Sequence, residues 1–184
     1  MKRIVIVPGN GCASTKSANW YGWAHARLEK MYAGSGVEVV APDMPDPFAA
    51  REREWIPFLE TMVDASTVVV GHSSGAEAAM RLAEKHVLYG IVLVSACVTD
   101  LGDAGEREAG WYNRRWEFEA MKSNCSRRYQ FASKDDPFLP FEAEQMAVAR
   151  GFDPQLTVFE DRLHIWQQTF PELIDLFRKE FPPA

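Results

Sequence analysis

The chain has 184 residues, 47% of them apolar and 25% charged, with a formal net charge of −6; this suits one globular domain over 1–184 with a full core and argues against general binding to nucleic acid or anionic membranes. Its cysteines, Cys12, Cys97 and Cys125, are odd in number and widely spaced, with no C-x-x-C pair or Cys/His cluster, so reduced thiols in the cytoplasm are expected, and no metal. The opening MKRIVIVPGNG has too short an apolar run for a signal peptide, and no run approaches the ~20 residues of a membrane span.

RIVIV at 3–7 is a short continuous apolar run, the pattern of a strand buried on both faces. The turn VPGNGC follows, then an amphipathic stretch predicted to be helical over 18–31. A second strand is predicted at 37–41 and a second helix at 48–62. There Trp55, Ile56, Leu59 and Met62 keep helical spacing, and Pro57 is expected to kink or divide the helix. Strand 67–70 runs through GHSSG into a helix at 74–86. Strand 90–94 precedes a long segment and a helix at 114–123. Strand 129–132 leads through SKDDPFLP to a helix at 140–149, and strand 156–159 through EDRLHIW to a helix at 167–179. This alternation predicts a three-layer α/β sandwich around a parallel sheet with right-handed crossovers. Ligands of such sheets bind beyond the carboxyl ends of the strands, so functional residues are sought there.

The stretch VVVGHSSGAEAAM at 68–80 carries the strongest signal. G-x-S-x-G directly after a buried strand and directly before a helix is the setting of a nucleophile elbow, where a sharp turn lifts the central serine above the sheet. The nucleophile is then Ser73, and the N–H of Ser74 is left at a helix start to stabilise an oxyanion. The plainer alternative is a tight strand-to-helix corner with incidental serines.

A serine nucleophile needs a base, and the base an orienting acid. With this elbow the chain order is Ser, then Asp or Glu, then His. Asp135 and Asp136 follow the fifth predicted strand and His164 follows the sixth. One aspartate is expected to accept from the imidazole while the other caps the turn before Pro137; Asp136 is taken as the acid. His72 lies too close to Ser73 in sequence to face it, His25 sits in a predicted helix, and His86 at a helix end, where a cation suits the dipole.

The first loop is where this fold draws a second oxyanion donor, by position Asn10 or Gly11. The competing reading of Gly9-x-Gly11 is a dinucleotide fingerprint with Asp43 holding a ribose, but Ser14 occupies the third glycine's place. No cofactor is expected.

VPGNG, WYGW, MPDP followed by ARE, GHSSGA with AAMR, IVLVSA, TDLGD and DDPFLP together resemble, nearly end to end, the small serine hydrolases of the α/β-hydrolase fold grouped with retinoblastoma-binding protein nine. The resemblance implies a minimal version of that fold, with six parallel strands in the order 2-1-3-4-5-6. It also implies that Ser73, Asp136 and His164 are the catalytic serine, aspartate and histidine. Two departures stand out. Leu163 replaces the glycine common before the catalytic histidine, and TMVDAST at 61–67 lacks the L-x-C-x-E segment, so retinoblastoma binding is not implied.

The expected reaction is hydrolysis of a small ester or amide through an acyl-enzyme; a catalytically silent binding module is the alternative. The segment 97–116 stands where this fold inserts a lid and is too short for a large cap. Trp111, Tyr112 and Trp116 are candidates for an apolar pocket wall, and Asp103, Glu106 and Glu108 for attracting an amine-bearing substrate such as an amino-acid amide or ester. Aromatics at this spacing are more often core, and charge clusters more often a solvated face. Trp166 is a further lining candidate, with Trp20 and Trp23, for which core packing is the simpler reading.

Overall fold

The computed structural model describes residues 1–183. Its strands are β1 (Arg3–Val7), β2 (Glu38–Val40), β3 (Thr67–His72), β4 (Gly90–Val94), β5 (Arg128–Ser133) and β6 (Gln155–Phe159). They form one six-stranded sheet in the order β2-β1-β3-β4-β5-β6, parallel throughout. The helices are α1 (Tyr21–Met31), α2 (Glu52–Glu60), α3 (Ser74–Lys85), α4 (Ala104–Ala109), α5 (Phe118–Asn124), α6 (Met146–Phe152) and α7 (Pro171–Glu180).

Alternation along each strand divides the core between the two faces of the sheet. Ile4, Ile6, Val68, Val70, Val92 and Val94 pack with Leu28 of α1 and Phe177 of α7. Val5, Val7, Val69, Ile91 and Leu93 pack with Leu59 of α2, Met80 of α3, Met121 of α5 and Val148 of α6. Each such side chain contributes about 1.5–3 kcal/mol by leaving water. Burial on both faces is why the strands read as continuous apolar runs. Among the described residues no helix is long and apolar enough to cross a membrane.

Beside the unpredicted α4 and the later starts of α1, α2 and α7, three departures from expectation stand out. Pro57 lies within α2 without dividing it. Trp55, Ile56 and Leu59 are buried along one side of that helix while Pro57 faces solvent, and their burial outweighs the one hydrogen bond the proline forgoes.

The helix predicted at 114–123 begins only at Phe118. The stretch before it crosses α3 as an irregular strap that buries the guanidinium of Arg81. That group donates to the carbonyls of Trp111 and Arg115 at 3.1 Å and Arg114 at 3.0 Å, and lies 3.6 Å from the ring centre of Trp116. Carbonyls turned toward a buried cation are unavailable to start a helix.

The helix predicted at 140–149 splits into a π turn (Phe141–Gln145) and α6. At their junction Gln145 turns inward and brackets Ser133, accepting from its N–H at 3.0 Å and donating to its carbonyl at 2.9 Å. This clamps the start of the loop that carries Asp135 and Asp136.

Candidate active site

The turn between β3 and α3 has the sharpness its glycines imply. Ser73 sits at φ 53°, ψ −126°, outside the ordinary allowed regions. A Cβ on Gly71 would lie 2.1 Å from the carbonyl oxygen of Gly75, and one on Gly75 would lie 2.3 Å from that of Val7. Neither position admits a side chain, so the corner can close only with glycine on both sides. Ser73 donates its N–H to Val94 O at 2.9 Å, and its carbonyl accepts from Ala76 and Glu77. The N–H of Ser74, at the first position of α3, has no carbonyl partner among the described residues and is oriented by the helix start.

Asp135 and Asp136 are neighbours that do different work. Asp136 Oδ2 lies 2.8 Å from His164 Nδ1, and Oδ1 accepts the N–H groups of Phe138 at 2.9 Å and Leu139 at 3.0 Å. Its side chain is fully buried. Asp135 Oδ1 instead accepts from Ser133 Oγ at 2.7 Å and from the N–H of Leu163 at 2.8 Å. Those two bonds hold its carboxyl below the ordinary range, the Ser133 contact most of all. Asp135 thereby fastens the loop that presents His164. Leu163 and Ile165, on either side of His164, have φ of 52° and 50°. The left-handed backbone at 163 is a physical reason for a glycine there; Leu163 tolerates it with its side chain turned to solvent.

Ser73 and His164 open onto one cleft of about 780 Å³ with Asn10 and Ser74, a volume suited to a small-molecule ligand. In the first loop, Gly9 donates its N–H to Tyr21 Oη at 3.0 Å and Gly11 donates to Pro47 O at 2.8 Å. Gly11 is therefore corrected as an oxyanion donor, because its amide is already engaged. Among the described residues the backbone N–H of Asn10 has no partner, while its side chain donates to Glu106 Oε1 at 3.2 Å.

The other histidines are committed elsewhere. His25 pairs with Glu29 at 3.2 Å and His86 with Glu60 at 2.9 Å. His72 is buried beneath the elbow, and desolvation with the nearby His164 pushes its imidazole down to about 3.

Two pocket candidates are corrected. Trp111 is fully buried against Trp55, with Nε1 donating to Ala50 O at 2.9 Å. Trp116 lies under Arg81, with Nε1 donating to Val98 O at 2.9 Å. Each finds apolar burial and an N–H partner away from the cleft, as a core indole requires. Trp166 does line the cleft, as does Tyr112. Phe138, unrecognised in the sequence, joins Trp166 at the rim with ring centres 5.4 Å apart, and packs edge-on to His164 at 5.1 Å.

The acidic residues divide likewise. Asp103 and Glu106 line the cleft; Glu108 faces away toward Arg51 at 3.8 Å. Asp103 Oδ1 also accepts the N–H of Glu106 at 3.0 Å, capping α4. Burial first, then Asp103, pushes the carboxyl of Glu106 up. Glu77, one turn into α3, was also missed. It lines the cleft, accepts the N–H of Cys97 at 3.0 Å, and is pushed well up by burial, Glu106 adding repulsion.

Comparison with known proteins places this architecture. Serine hydrolase RBBP9 from Rattus norvegicus is 46% identical over 184 residues, covering 99% of this chain and 97% of that protein. The crystal structure of the ydeN gene product from Bacillus subtilis superposes with a TM-score of 0.84 at 23% identity, covering 98% of this chain and 99% of that one. Est1E from Butyrivibrio proteoclasticus, solved with ferulic acid bound, gives a TM-score of 0.69 at 15% identity over 98% of this chain and 88% of its own; both structures speak to the fold alone. The sequence model of the alpha/beta hydrolase family matches residues 4–184. By that match, and by its identity to a serine hydrolase along nearly the whole length of both chains, this protein belongs to the alpha/beta hydrolase family, among its serine hydrolases.

Proposed function

We propose that the protein cleaves small esters or amides through an acyl-enzyme, with Ser73 as nucleophile, His164 as base and Asp136 as the group that orients it. The 2.8 Å contact between Asp136 Oδ2 and His164 Nδ1, on the cleft that Ser73 shares, carries this reading. A carboxylate on Nδ1 holds the proton there, so Nε2 is the nitrogen able to take one. As Ser73 Oγ bonds to the substrate carbonyl carbon, its proton passes to Nε2. The oxyanion that forms is met by the N–H groups of Ser74 and Asn10. The carbonyl-to-leaving-group bond then breaks, and the leaving group takes the proton from Nε2. Water repeats the sequence on the acyl-enzyme and restores Ser73.

The substrate class suggested by the cleft walls is an acyl compound bearing a free amine, such as an amino-acid ester or amide. Asp103, Glu106 and Glu77 stand on the wall formed by α3 and α4, where burial first, and then the neighbouring carboxyls, pushes Glu77 and Glu106 up. A bound ammonium would offset the repulsion among these carboxyls. Phe138 and Trp166 offer an apolar surface at the rim.

A fluorophosphonate probe tests the chemistry. It is expected to label the wild type and spare Ser73→Ala; a well-folded wild type that resists labelling would favour a silent binding module. Matched esters with and without an α-amine test the substrate class. The amine is expected to raise kcat/KM by about tenfold, the effect of roughly one charge-assisted contact. Equal rates would remove the amine preference and leave the hydrolase standing.

A further inference from the structure

The imidazole of His72 is buried, adjoins the nucleophile in sequence, and bonds at both nitrogens. Nε2 lies 2.8 Å from the carbonyl oxygen of His164, and Nδ1 lies 2.6 Å from Tyr21 Oη. A carbonyl only accepts, so Nε2 carries the hydrogen and Nδ1 is the acceptor, filled by the Tyr21 hydroxyl. Tyr21 Oη in turn accepts from the N–H of Gly9 at 3.0 Å and from Asn19 Nδ2 at 3.1 Å. One directed chain thus runs from Gly9 through Tyr21 and His72 to the backbone of His164. It joins the residue before Asn10, the residue before Ser73, and His164 itself. Burial keeps the imidazole in the neutral form this chain needs.

The backbone the chain ends on is one that needs holding. Leu163 and Ile165 are both left-handed, a conformation that costs roughly 1–2 kcal/mol for an ordinary residue. The carbonyl between them accepts from His72 and, at 3.2 Å, from Ser95 Oγ, while Trp20 Nε1 donates to Ile165 O at 2.8 Å. Close packing links the other two loops: a Cβ on Gly9 would lie 3.1 Å from the Cβ of Ser73.

We infer that His72, with Tyr21, is a positioning residue: it sets the base loop and the first loop in register with the Ser73 elbow, so that nucleophile, base and oxyanion donors converge on one carbonyl. The inference rests on the roles assigned above to Ser73 and His164. It gives His72 and Tyr21 no contact with the reacting atoms.

Three variants test it. Tyr21→Phe removes the hydroxyl and keeps the ring. His72→Asn keeps a polar group near the place of Nδ1 and loses the donor to His164 O. His72→Gln keeps an amide donor near the place of Nε2. With a small ester, kcat is expected to fall about tenfold in Tyr21→Phe and about a hundredfold in His72→Asn, the scale of an ångström's misplacement. KM is expected to stay within about twofold, because Tyr21 and His72 line only the floor of the cleft and the walls at Glu106, Phe138 and Trp166 are left in place. His72→Gln is expected to regain about tenfold over His72→Asn, and fluorophosphonate labelling rates to follow kcat.

Variants with a lowered Tm but wild-type kcat per folded molecule, measured well below that Tm, would show a structural role and overturn the inference. Should His72→Asn fail to fold, Tyr21→Phe decides by the same criterion. A wild type that neither labels nor hydrolyses would sink the hydrolase reading and this inference with it. An active wild type silenced by Ser73→Ala, with undiminished His72 and Tyr21 variants, would sink the inference alone.

Discussion

The two walls of the cleft are held in opposite ways. The loop carrying His164 is fastened by groups from several distant elements. Ser133 Oγ accepts the N–H of Arg162, Asp135 that of Leu163, and His72 and Trp20 donate to the carbonyls of His164 and Ile165. The facing wall, on the short helix α4, is largely exposed, and so are its polar contacts: Asp103 caps the helix, Arg107 pairs with Asp100, and Asn10 of the first loop reaches Glu106. A buried group that loses its partner costs about 1–3 kcal/mol, whereas an exposed pair is worth about 0–1 kcal/mol. The first wall is therefore expected to govern rate and the second to govern which molecule binds.

Asp136→Asn is the severest way to break that division. With the orienting charge gone and the wrong tautomer favoured, kcat for a saturating ester is expected to fall about 10³–10⁴-fold. Asp135→Asn loosens the same loop without touching the imidazole, and its loss should stay below about a hundredfold. Equal losses in the two would mean that the adjacent carboxylates are not separated in function.

Trp111→Ala probes the strap rather than either wall. It empties a buried indole site and leaves Ala50 O without its donor, for an expected cost of about 3–5 kcal/mol. Tm should fall by roughly 10 °C, while fluorophosphonate labelling well below the new Tm stays at the wild-type rate. A labelling rate that fell with the Tm would place this indole in the cleft machinery after all.

Glu106→Gln addresses the exposed wall. KM for an amine-bearing ester is expected to rise about tenfold with kcat little changed, and the amine-free ester to be unaffected. A fall in kcat for both esters would erase the contrast between the walls.

Glu77→Gln gives the smallest effect and a defined pH dependence. Burial raises the folded-state value of Glu77 above the ordinary 4.5, so the folded protein keeps a proton that the unfolded chain releases. The resulting contribution to stability is complete below pH 4.5 and is lost as pH rises through the folded value. Glutamine cannot ionise. Its Tm advantage over wild type should be absent at pH 4 and grow to a few degrees, about 1 kcal/mol, at pH 8. A difference that does not change with pH would mean that Glu77 is not kept neutral by burial.

Much of this was legible in the sequence, and the exceptions share a cause. The strand runs, the elbow and the order of loops follow from local chemistry: period-two burial, glycine on both sides of a crowded corner, and one histidine past the last strand. The contrast between Asp135 and Asp136 turns on which way two adjacent carboxylates point, which His164 and Leu163 decide from the next loop. Asn10 and Gly11 differ because Pro47, far along the chain, takes one amide. Trp111 and Trp116 read as pocket aromatics until α2 and Arg81 are seen to cover them. Tyr21 and Glu77 lie inside amphipathic helices, where nothing local marks one polar group as facing a cleft.

The amino-acid sequence by itself determined the alternation of strands and helices, the parallel sheet and the corner at Ser73. Those depend on burial patterns and backbone sterics that reach only a few residues. Tertiary structure alone decided which carboxylate meets His164, which amide stays open to the cleft, and how His72 ties the loops together. A hydrogen bond acts over about 3 Å, and only folding brings groups so distant along the chain within that range.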